Sequence, residues 1–518
     1  MDDRPDAAPT PDDQPVEGGR AAAPRFRRRA LLAGGVGLAA VPVIGLLSPA
    51  ESPAAVVLNA RDFGATGNGT TDDTAAVQRL IDATARQGAV GVLAAGTYRC
   101  TRSLLLPARA QLQLASGARL LKDWAATPGL ANAFLRNTDF AVRSNGVRIT
   151  GPGTIGARDH SRTGVVVALY GDDVELRNLT IDTYAGGQAV MYAGDRGRMD
   201  GVKIRNSAAT TGTGGIRVLG GADFRATSCD VQSGDDCLQF VPIGDPDALL
   251  FDMDITGGSF VGCTGVSTVS RFMIAALEWT RGDGGMTASV TNCSFSTCRG
   301  SGTNRGIVVK NTHSTGTIAR LTFTDCSVDM SRSANAETQE IRIQTDPASG
   351  GSIRDVTFTR TSITRPVNSV LRVGGPNISG ITFDGCTFAA PSGTSTVVAV
   401  VEQADRVRML GCSFAGTRDK RLLVAGPTAP VTALSVENCR FTDVGNGVWG
   451  VDLMGAAGAR VAGSTFRQAA GATTARAVRV AAACSGVVIE GNDLTGLTTA
   501  TKITNNAADT VIRNNRGG

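Results

Sequence analysis

Apolar and polar residues alternate along this chain in short runs, and each run stops at a turn-forming dipeptide. ISGITFDGCTF (378–388), VTALSVENCRF (431–441) and GVVIEGNDL (486–494) show the pattern. Alternation with a period of two marks β-strands, and the runs leave no room for paired helices. A small residue recurs just after the turn. Cys229, Cys263, Cys293, Cys326, Cys386, Cys412 and Cys439 follow one another at 34, 30, 33, 60, 26 and 27 residues, and Thr361 fills the long interval. Asn178, Asn206, Ser464 and Asn492 read as further occupants of this slot, giving about a dozen copies of one unit. A propeller blade needs more residues per repeat, whereas this step suits one coil of a parallel β-helix. Equivalent slots then stack at ~4.8 Å and the rod is roughly 60 Å long. Most cysteines are therefore expected as a buried internal ladder of small thiols. Eleven is an odd number, so at least one thiol stays unpaired. Cys293 with Cys298, or Cys229 with Cys237, are better placed for disulfides than the ladder members.

Composition agrees. Gly is 65 of 518 residues and aromatics are 5%, which favours β-structure with many tight turns. A net charge of +5 without a basic, aromatic-laced stripe argues against a nucleic-acid partner. The first 55 residues read as a leader rather than as fold. A polar segment precedes RFRRRALLAGGVGLAAVPVIGLL, with Arg28-Arg29 ahead of a weakly apolar run. This resembles a twin-arginine export signal cleaved between Ala50 and Ala55. It implies an extracellular protein that passes through the twin-arginine machinery already folded, with no stable membrane anchor.

Residues 56–105 read as an N-terminal cap on a single β-helix domain, 56–518. Asp72, Asp73 and Thr74 open an amphipathic helix, Gly88 closes it, and Val90–Leu93 begins a strand. Such a cap covers the open end of a solenoid. The stretch DFGATGNGTTDDT strongly resembles the opening of the pectate lyase superfamily of the rhamnogalacturonase and epimerase type. The expected fold is thus all-β: a single-stranded right-handed parallel β-helix of about twelve coils with a capping helix.

Candidate chemistry centres on SGDDCLQF (233–240), where Asp235 and Asp236 adjoin. Like charges this close raise one pKa and divide acid and base roles. Successive strand residues face opposite ways, so a turn is needed to present both. A second Gly-Asp-Asp at 171–173 reads as a structural turn. From Arg61 to Met330 the chain also resembles the polygalacturonases, glycoside hydrolase family 28. Carried over by motif, its Gly-Asp-Asp is Gly234-Asp235-Asp236. Its Asn-Thr-Asp falls on Gly212-Thr213-Gly214, its Gly-His-Gly on Cys263-Thr264-Gly265, and its Arg-Ile-Lys on Val308-Val309-Lys310. The third carboxylate, the histidine and the arginine are missing. The resemblance implies catalytic Asp235 and Asp236 and a substrate-binding Lys310.

VSRFMIAALEWTRGDGG (269–285) holds Arg271, Glu278, Trp279 and Asp283. Glu278 is the candidate for the missing carboxylate, Trp279 for stacking on a sugar, and Arg271 for a substrate cation. His313 and His160 are the two histidines, and His313 is a candidate at the groove rim. Trp449 reads as core or edge cover. Three functions follow. A secreted polysaccharide hydrolase without cofactor comes first. A lyase would eliminate across a uronate, with Ca²⁺ held by Asp235 and Asp236. A non-catalytic carbohydrate-binding rod is the third.

Overall fold

The computed structural model describes residues 56–518 except 126–128, 158–163, 184–186, 207–211, 244–248, 279–285, 334–338 and 418. The chain winds as a right-handed parallel β-helix with three faces. Among the described residues, one face is a separate 16-stranded sheet. The other two join into a 38-stranded sheet, because some strands run on around a corner. Ile216–Ala222 pairs in parallel with Leu238–Phe240 through its first half and with Ile255–Thr256 through its second. The coils outnumber the dozen expected. The N-terminal ones carry Gly153, Leu179 and Val202 at the ladder position, so the polar slot does not reveal them.

The ladder itself is present, with one change of membership. Register aligns Thr264, Arg299, Ser327, Ser362, Thr387, Ser413 and Arg440 on successive coils. The residues just before them are Cys263, Cys298, Cys326, Thr361, Cys386, Cys412 and Cys439. Cys298, not Cys293, therefore holds the rung. Each thiol donates to a carbonyl of the coil before: Cys326 to Phe295 (3.4 Å), Cys412 to Phe383 (3.3 Å) and Cys439 to Met409 (3.3 Å). Thr361 Oγ1 makes the same bond to Phe323 (3.1 Å). All eleven cysteines are buried with free thiols.

The turn dipeptide has a backbone reason. The residue before each rung is left-handed: Ser228, Thr297, Asp325, Arg360 and Asn438 have φ from 46° to 55°, and Gly385 and Gly411 have 61° and 58°. Glycine and asparagine adopt this region at least cost, which is why GC and NC recur. Asn178, at φ 53°, is such a corner residue rather than a rung.

Inside the coil, Phe295, Phe323, Phe358 and Phe383 stack at 4.6–4.9 Å, and Phe388, Phe414, Phe441 and Phe466 form a second column at 4.8 Å. These spacings are the coil repeat itself. The cap matches its expectation. The helix α1 spans Thr74–Gln87, Gly88 ends it at φ 64°, and the strand Val90–Leu93 follows. Asp72 Oδ1 accepts from Thr74 N (3.0 Å), and Asp73 folds back to Thr66 N (2.7 Å) and Gly67 N (2.9 Å). Both carboxylates are thus spent on holding the cap.

Candidate active site

The face that includes Ile216–Ala222, Leu238–Phe240, Arg271–Leu277 and Arg305–Asn311 gathers most of the expected site residues. Register places Arg217, Gln239, Ile274 and Val308 in one outward row. Ala276 and Lys310 pair two residues further on. Arg271 and Arg305 pair at the strand starts. A period-two strand puts the first two rows on the same side, and Arg271, an odd number of residues away at the strand start, joins the cluster through its side-chain contacts.

Asp235 and Asp236 sit in a bend between Asp230–Ser233 and Leu238–Phe240, and the bend sends them apart. Asp235 is half-buried, and its Oδ2 accepts from Gly212 N (2.9 Å). Asp236 is 1% exposed. Its Oδ1 accepts from Ser270 Oγ (3.0 Å), Arg271 N (3.2 Å) and Arg271 Nε (2.7 Å). The other end of the Arg271 guanidinium reaches Glu278, with Nη2 3.2 Å from Oε1. Lys310 Nζ lies 3.5 Å from Glu278 Oε2. Arg271 therefore bridges a carboxyl at the start of one strand and a carboxylate beyond the end of the next. The two contacts and the breadth of one guanidinium hold these oxygens within about 8 Å, compatible with either stereochemical course of glycoside hydrolysis.

The two acids are driven in opposite directions. Burial, with Asp235 adding to it, raises Asp236 to about 6 against the pull of Arg271. Burial would also raise Glu278, but Arg271 and Lys310 outweigh it and hold the group at about 2. Near pH 5, one carboxyl keeps its proton while its neighbour across the guanidinium is ionised.

Gln188, Gln239 and Arg217 belong to the site and carry no signal in the sequence. A β-carbon on Gly214, the position matching the family's third carboxylate, would meet Gln188 Oε1 at 1.9 Å. That oxygen accepts from Gln239 Nε2 (2.8 Å), which also donates to Asp236 O (2.7 Å). Arg217 Nε holds the other end of Gln239 (2.7 Å). Gln188, Gln239 and Arg217 thus form a hydrogen-bonded carboxamide network beside Gly214.

His313 is exposed, bonds Thr312 through Nδ1 (3.0 Å), and donates its backbone N–H to Leu277 O (3.1 Å) at the edge of the cluster. Trp279, Asp283 and His160 lie outside the described residues, as does the leader. The second Gly-Asp-Asp is a turn: Asp173 is left-handed at φ 57°, and Asp172 accepts from Asp195 N (3.0 Å). Asp235 and Asp236 do not suit a shared calcium. Asp236 Oδ1 is filled by three donors with a guanidinium against it, and a cation there would face Arg271. Among the described residues, no group of three or more His, Cys, Asp or Glu is arranged to hold a metal.

Residues 57–233 match the family described as rhamnogalacturonase A/epimerase, pectate lyase-like. The match stops at Ser233, just before the Asp pair, and the resemblance of the cap to that superfamily holds. No curated protein matches the chain. Among solved structures, the chain is similar to a tailspike variant of E. coli bacteriophage HK620 in complex with a hexasaccharide. The TM-score is 0.54 at 12% identity, over 88% of this chain and 78% of that one. It is also similar to tailspike protein 3 of bacteriophage CBA120 (TM-score 0.47, 13% identity, 89% of this chain) and spans 62% of that protein's length. The family 28 exopolygalacturonase of Yersinia enterocolitica gives a TM-score of 0.45 at 16% identity, over 71% of this chain and 79% of that one. At these identities the likeness is one of fold.

Proposed function

We propose that this pectate lyase-like solenoid is a polysaccharide-acting glycoside hydrolase in which Asp236 is the general acid and Glu278 the ionised partner. The observation that carries this is the opposed ionisation of two carboxyls bridged by Arg271. Pairs whose environments push their pKa values apart divide acid and base work between them. In the step proposed, Asp236 gives its proton to the leaving glycosidic oxygen as the C–O bond breaks. Water adds its hydroxyl to the anomeric carbon and passes its proton to Glu278. Arg271 and Lys310 keep Glu278 ionised. Asp235 supports the protonated form of Asp236 by its charge, a positioning role rather than a share in proton transfer. The hexasaccharide in the HK620 tailspike complex fits a saccharide ligand on this fold. The twin-arginine leader belongs to the same reading, since an exported enzyme meets polymeric substrate outside the cell.

The test is a panel of acidic and neutral polysaccharides assayed for new reducing ends and for ultraviolet absorbance. Wild type is run beside Asp236→Asn and Glu278→Gln. The expected result is reducing ends without absorbance, falling about 10²–10⁴-fold in either variant, the worth of one acid or base. Full activity in Glu278→Gln would sink the assignment. An absorbing product would replace hydrolysis with elimination.

A further inference from the structure

Six strands beyond Arg271–Leu277 on the same face lies Trp449–Leu453. The distance along the axis is about 29 Å at ~4.8 Å per coil. Here Asp452 is fully buried and takes both ends of Arg479, Nε at 2.6 Å and Nη2 at 2.7 Å, with Arg421 Nη1 at 3.4 Å. The Trp449 ring is flanked by Arg479 at 4.4 Å and Arg476 at 5.2 Å from its centroid. Arg476 has no carboxylate partner among the described residues, and its Nε and Trp449 Nε1 are buried without hydrogen bonds. Three guanidiniums therefore surround one carboxylate and one half-buried indole.

We infer that this cluster is a second saccharide subsite, one that takes a negatively charged sugar unit of the polymer bound at Asp236 and Glu278. The inference rests on the polysaccharide reading above and names its substrate class as anionic. The excess of guanidinium over carboxylate selects a carboxylate or sulfate, for which Arg offers a planar fork. The indole offers an apolar surface to the sugar ring. Between the two sites, Arg342 and Arg372 are register neighbours in the outward row that also holds Asp452 and Arg479. A polymer lying along the axis passes over these side chains, Arg372 being paired with Glu402 (Nε to Oε1, 3.0 Å), on its way from one cluster to the other.

The test uses the full chain carrying Asp236→Asn, so that substrate survives. Calorimetric titration with polygalacturonate, alginate and hyaluronate is compared with neutral dextran. Trp449→Ala and Arg476→Gln are added separately, which leaves the buried Asp452–Arg479 pair intact. The expected result is binding of at least one acidic polymer and none of dextran. That binding should weaken as salt rises. Each added substitution should weaken it about tenfold, the worth of one charge-assisted contact. Unchanged affinity in Arg476→Gln, equal binding of dextran, or no binding of any acidic polymer would overturn the subsite. Absence of hydrolysis in the wild type, with binding still dependent on Arg476, would overturn the hydrolase reading and leave the subsite standing.

Discussion

The side-chain carbonyl of Gln188 stands 1.9 Å from where a β-carbon on Gly214 would lie. The two residues are packed together: any side chain at 214 must displace the Gln188 carboxamide from its hydrogen bond to Gln239. Gly214→Asp alone should therefore fail to restore a third carboxylate and should destabilise the chain, since an overpacked core position costs about 1–3 kcal/mol. Gln188→Ala with Gly214→Asp should recover stability relative to Gly214→Asp. Thermal unfolding of the four proteins in a double-mutant cycle checks this. Additive effects would show that the contact does not couple them.

The pH dependence follows from the two shifted carboxyls. Activity needs Glu278 ionised and Asp236 protonated. kcat/KM should therefore rise as Glu278 loses its proton near pH 2 and fall as Asp236 loses its own near pH 6. Stability carries its own signs. Asp236 holds its proton more tightly in the folded chain than its ordinary value of 3.8, so stability declines as pH rises from there to about 6. Glu278 is depressed from 4.5, so its contribution is present above 4.5 and is lost as pH falls towards 2. Asp236→Asn should flatten the decline between pH 3.8 and 6. A denaturant series across this range measures it, and an unchanged slope would assign the decline elsewhere.

The ladder predicts tolerance at a rung, and the phenylalanine column predicts sensitivity in the core. Cys412→Thr should change stability by less than about 1.5 kcal/mol, because Thr361 already occupies an equivalent rung with the same bond to the preceding coil. Phe358→Ala should cost about 3–5 kcal/mol, since the ring stacks on both Phe323 and Phe383. Equilibrium unfolding distinguishes the two, and similar losses would show that the rung depends on sulfur.

The coil architecture, the cap and the ladder were legible because a solenoid repeats one local solution. Alternation sets the strands, a left-handed corner requires Gly or Asn, and identical slots stack, so each copy reinforces the reading of the others. The slip from Cys298 to Cys293 shows its limit: two cysteines five residues apart fit the spacing equally, and hydrogen-bond register separates them. Asp235, Asp236 and Lys310 could be named from the sequence because they fall on motifs that resemble those of the polygalacturonases, and Arg271 and Glu278 because they follow the Asp pair in the next coil. Their roles could not, because those depend on which strands lie side by side. Only the stacking of Leu238–Phe240, Arg271–Leu277 and Arg305–Asn311 lays Arg271 between Asp236 and Glu278 and brings Lys310 to the second. Burial of that set separates the two ionisations, and neither depth nor neighbour is encoded in local pattern. Gln188 and Gln239 show the same thing from the other side. They are unremarked polar residues 51 apart in the chain, and the coil brings them into one hydrogen-bonded network beside Asp236.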